Sequence, residues 1–174
     1  MHVLLAVLGI AAGIGIWIWR ARNAASAASE LVDVADDLRA AVRRFGFNRK
    51  ANVNPLDDIE DVRLAGAGIL VAFANMDDVL SREEIAAIAR ECGTAFEVET
   101  AEAEQITAYG RWLIQQSNNM DEAIRRLGRN LETKLTAAEK QQLFGMIERV
   151  AGLEGGGLSD AQRYAMVQLS RQLG

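Results

Sequence analysis

The chain has 174 residues, half of them apolar, with a formal net charge of −5. That is long enough for one ordinary domain and short for two. Setting aside Arg20 and Arg22, which follow the first apolar run, leaves 17 basic against 24 acidic side chains, a balance of −7. A balance of that sign argues against nucleic acid as a partner, since its phosphates need a basic face. Proline occurs once, and Ala, Leu, Glu, Arg and Gln dominate, which is helix-forming composition.

Mean hydropathy is only +0.02, so the apolar residues must be spread as stripes apart from one concentration at the N-terminus. Over residues 1–19 the only polar side chain is His2, and the run stops at Arg20 and Arg22. At about 1.5 Å per residue such a helix is roughly 28 Å long, close to the ~30 Å hydrocarbon core of a bilayer. A signal peptide carries its basic residues before the apolar core, and here they follow it. The expectation is an uncleaved anchor in the cell inner membrane, its N-terminus outside and the rest cytoplasmic by the positive-inside rule. Gly9 and Gly13 form a GxxxG pair through which two such helices could dimerise.

The spacing of Leu31, Val34, Leu38, Val42 and Phe45 predicts a juxtamembrane helix that stops at Gly46. Asn54-Pro55-Leu56-Asp57 reads as the start of the next helix, with Asn as cap and Pro in the first turn; Ile59, Val62, Gly66, Ile69, Leu70 and Phe73 would follow. Ser81-Arg82-Glu83-Glu84 is a capping box whose helix should end near Cys92-Gly93. Further starts fall near Thr100, at Asn119 with Glu122, at Thr136 with Glu139, and at Ser159 with Gln162. No segment alternates like a strand. The expectation is an all-α chain: an anchor over 1–22, a helix and linker over 23–56, and a bundle of about seven short helices over 57–174.

An internal near-repeat is the most informative feature. Val71-Ala72-Phe73-Ala74-Asn75-Met76-Asp77-Asp78-Val79-Leu80-Ser81-Arg82-Glu83-Glu84 has a counterpart in the stretch from Arg149 to Gln162. Each copy is an apolar helix, a tight turn with acidic residues, a Leu-Ser cap and an amphipathic helix. This pattern resembles the TerB-like family, named for tellurite-resistance proteins, whose hairpins carry an Ala-x-x-Asp-Gly-x-x-Ser-x-x-Glu type of signature. The first copy reads Ala74, Asp77, Asp78, Ser81 and Glu84 at these positions, with Asp78 in place of Gly; the second reads Ala151, Glu154, Gly155, Ser159 and Gln162, with one extra residue in its loop. The anchor-plus-domain layout is also similar to membrane-anchored DnaJ-like co-chaperones of the DjlA type. Their J-domain His-Pro-Asp tripeptide is absent, because the only His is His2 and the only Pro is Pro55.

The resemblance implies a stress or envelope protein with a protein partner. It also implies an alternative, a divalent-metal site on Asp77, Asp78, Glu83, Glu84 and Glu154, since clustered carboxylates suit hard cations such as Ca²⁺. Two departures bear on it: Gln162 stands where the signature has Glu, and Gly155-Gly156-Gly157 supplies no side-chain ligand. Acids at helix N-termini also complement the helix dipole, and the box itself needs Glu84; that reading needs no cofactor. Beyond His2 there is no histidine, no Ser or Cys nucleophile beside a base, and no phosphate-binding loop, so a non-catalytic adaptor is expected. Tyr109 and Leu113 fall on a core stripe, Trp112 lies one step off it, and the single Cys92 reads as a buried small residue.

Overall fold

The computed structural model describes residues 54–77, 79–152 and 157–174. Among these residues there are six helices and no strand: α1 Val62–Ala74, α2 Arg82–Phe96, α3 Thr100–Gln115, α4 Met120–Glu132, α5 Ala137–Ala151 and α6 Asp160–Leu173. The predicted span over 1–19, with Gly9 and Gly13, and the predicted helix over 29–45 lie outside the described residues. No helix among the described residues is long and apolar enough to cross a membrane.

The sequence of α1, Val-Arg-Leu-Ala-Gly-Ala-Gly-Ile-Leu-Val-Ala-Phe-Ala, is apolar on every side, and a helix of that kind must be surrounded. Every residue from Leu64 to Ala74 is buried, and α2, α3, α4 and α5 all pack against α1. Helix α6 lies on α4. Phe73, Ile69, Leu70, Ile88, Leu113, Leu127 and Ile147 are fully buried around this axis, each worth about 1.5–3 kcal/mol of transfer free energy. Tyr109 and Leu113 join the core as expected, while Trp112 is half-buried against it, its ring 5.3 Å from that of Tyr109.

Helices α1 and α3 approach closely. A Cβ at Gly110 would lie 2.9 Å from the Ala67 carbonyl carbon and 3.0 Å from the Gly68 nitrogen, so the two backbones touch where only glycine fits. Ion pairs then stitch the helix ends. Arg63 joins Asp61 at the start of α1 to Glu102 in the first turn of α3, and its guanidinium pKa is raised by the Asp61 hydrogen bond first. Arg149 grips Glu91 through two nitrogens and so ties α5 to α2.

Two boundaries differ from the sequence expectation. Asn54 caps a turn and not a helix: its Oδ1 accepts from Leu56 N–H at 3.0 Å, and residues 55–57 turn before α1 starts behind Asp61, whose carboxylate accepts from Arg63 N–H. Leu56 and Ile59 nonetheless reach the core. Nor does α2 stop at Cys92-Gly93. It continues to Phe96, and the Gly93 carbonyl accepts from both Glu97 and Val98 N–H. The chain turns at Glu97, whose φ of 53° is left-handed.

Candidate functional site

The paired turns of the near-repeat are the candidate site, and their geometry starts from the caps. At Ser81 the hydroxyl accepts from Glu84 N–H at 3.2 Å, while Glu84 Oε2 accepts from Ser81 N–H at 2.7 Å and from its hydroxyl at 2.8 Å. The same box recurs at Thr136 with Glu139 and at Ser159 with Gln162. At Asn119 the side chain accepts from Glu122 N–H, and Glu122 itself pairs with Arg126 four residues on.

The fold brings the two halves of the repeat together. The Ser159 hydroxyl, which caps α6, donates to Asp77 Oδ1 in the turn after α1 at 3.0 Å. The Gln162 amide donates from Nε2 to the Phe73 carbonyl at 2.9 Å, one of the last carbonyls of α1, which also accepts from Met76 N–H at 3.3 Å. Gln162 is 5 % exposed. A neutral residue here, where the first box has Glu84, therefore has a physical reason. Gln162 must accept from Ser159 N–H with Oε1, at 3.0 Å, and donate with Nε2; an ionised carboxylate does only the first.

Three of the five predicted metal residues can be placed. Asp77 is exposed and engaged by Ser159, Glu83 is exposed in the first turn of α2, and Glu84 serves the Ser81 cap. Asp78 and Glu154 lie outside the described residues. Among the described residues no three His, Cys, Asp or Glu side chains gather closely enough to hold a metal ion.

Cys92 is fully buried, and desolvation pushes its thiol pKa up to about 12, far from the range of a reactive thiolate. Burial, with the Asp58 charge, likewise raises Tyr109 to about 12. Among the described residues no buried side-chain nitrogen or oxygen lacks a hydrogen-bond partner. The residue that sequence reasoning missed is Gln162 as a bridge to α1. Its signal was a neutral residue where the box tolerates Glu, in a helix start otherwise built like the first.

Compared with protein-family models, with curated proteins and with solved structures, the chain matches none.

Proposed function

We propose that this chain is a membrane-tethered, non-catalytic interaction module of TerB-like type, with its helical body in the cytoplasm. The tether rests on the 1–19 segment and the arginines behind it, and the TerB-like reading on the two capped turns. The observation that carries the adaptor reading is how the bundle uses its side chains. The carboxylates of Asp77 and Glu84 are occupied in joining and capping helices, while the outward side of α6 leaves Tyr164 63 % and Val167 47 % exposed. These two residues lie three apart on one helical face, and exposed aromatic residues are favoured anchors in protein interfaces.

A photo-crosslinking residue placed at position 167 of the full-length chain tests this in cells. The expected result is one discrete adduct at 167, absent when the probe sits at exposed Glu132 instead and lost with Tyr164→Asp. Equal adducts at both positions, or none at 167, contradict the reading. The protein should also sediment with membranes and stay there in high salt; recovery in the soluble fraction contradicts the tether.

A further inference from the structure

A cleft of about 310 Å³ opens between the start of α1, the end of α2, the end of α4 with Leu135 behind it, and the Glu139 to Met146 stretch of α5. Val62, Gly66, Phe96, Leu131, Leu143 and Met146 supply its apolar walls. Three polar side chains reach its edge, and each is engaged within the protein. Arg63 bonds Asp61 and Glu102, Glu139 completes the Thr136 cap, and Gln142 donates to the Ala95 carbonyl. An occupant thus meets apolar walls and charges that are already compensated.

Gly66 adds an independent observation. At Gly110 a Cβ would fall under 3.0 Å from the α1 backbone, and at Gly68 and Gly128 under 3.0 Å from the side chains of Leu127 and Gln172. At Gly66 the nearest atom is Phe96 Cζ at 3.6 Å, an ordinary contact. A side chain would fit there, and glycine in a helix interior is less favourable than alanine. Gly66 itself lines the cleft, and a side chain there would enter it.

The geometry points to a binding site for a neutral hydrocarbon chain. A 150 Å³ apolar cavity takes one benzene, so twice that volume accommodates on the order of a dozen carbon atoms. The volume also falls at the lower end of the range of about 300–1,000 Å³ for ligand pockets. Removal of the chain from water drives binding, and the walls ask for no hydrogen bond. The site stands apart from the paired turns and does not depend on the tether.

The test uses the full-length chain in intact cells fed a 12-carbon alcohol carrying a mid-chain photoactivatable diazirine. After irradiation and digestion, label is expected on peptides containing Phe96, Leu143 or Met146. Gly66→Leu and Met146→Trp, which fill the cleft from opposite walls, should each lower that label at least tenfold, and Glu104→Gln, exposed on α3 away from the cleft, should not change it. Melting curves of the variants show which remain folded, and either one alone suffices. Label missing from these peptides in the native chain, or undiminished in a folded plugged variant, overturns the proposal.

Discussion

Gly110 and Gly66 lie in neighbouring helices and answer to opposite constraints. Gly110→Ala forces a methyl group into the α1 backbone, which cannot yield as a flexible side chain could, and should cost about 1–3 kcal/mol as overpacking. Gly66→Ala meets only ordinary contacts and should stabilise by about 0.5–1 kcal/mol through helix propensity. Chemical denaturation of both variants checks the pair of signs. Gln162 sets a third expectation. Gln162→Glu places a carboxylate oxygen 2.9 Å from the buried Phe73 carbonyl in place of a donor, and should destabilise by about 1–3 kcal/mol at neutral pH. Stability equal to the native chain would mean that the amide bond to α1 is not made. The core roles of Tyr109, Leu113 and Cys92 were readable from spacing and residue type. The bridging role of Gln162 was not, because its second partner is 89 residues away.

Helix starts were legible because a cap is a local device: Ser81, Asn119, Thr136 and Ser159 each act on a backbone N–H three residues on. The same chemistry misled at Asn54, since an Asn side chain closing a turn and one capping a helix look alike in sequence. The end of α2 was misplaced for a different reason. Glycine is the usual residue for a left-handed helix stop, but here Gly93 stays helical and Glu97 takes the positive φ. The caps also differ in how they respond to acid. Hydrogen bonds from the Thr136 backbone and side chain hold Glu139 below the ordinary carboxylate range. A depressed folded pKa contributes stability above the unfolded value and loses it as pH falls through the folded one. The Thr136 cap should therefore weaken in acid below the ordinary glutamate range, and Glu139→Gln should remove that part of the pH dependence. The Ser159 cap already uses an uncharged glutamine and gives no such contribution. Carbon-detected titration of the Glu139 carboxyl follows the effect; a midpoint at or above the ordinary value contradicts it.

The all-helical architecture and the central place of α1 follow from a segment with no polar face, which needs neighbours on every side. What composition and periodicity could not reveal is that the Ser159 cap of α6 meets Asp77 in the turn after α1. The two residues are far apart in the chain, and they come together where α6 packs on α4 and Gln162 bonds to the end of α1. That meeting also bears on the choice between an adaptor and a metal-binding domain. If Asp77 and Ser159 join the turns directly, divalent ions have no stabilising role there. A bound cation raises stability by RT ln(1 + [L]/Kd), about 2.7 kcal/mol at a hundredfold excess over Kd. Asp77→Asn removes the charge and keeps an oxygen that can accept from Ser159. The decisive measurement is the thermal melting curve of the full-length protein, native and Asp77→Asn, with and without millimolar Ca²⁺. The expected result is that Ca²⁺ leaves the native curve unmoved; a Ca²⁺-dependent rise in Tm that disappears in Asp77→Asn would contradict it.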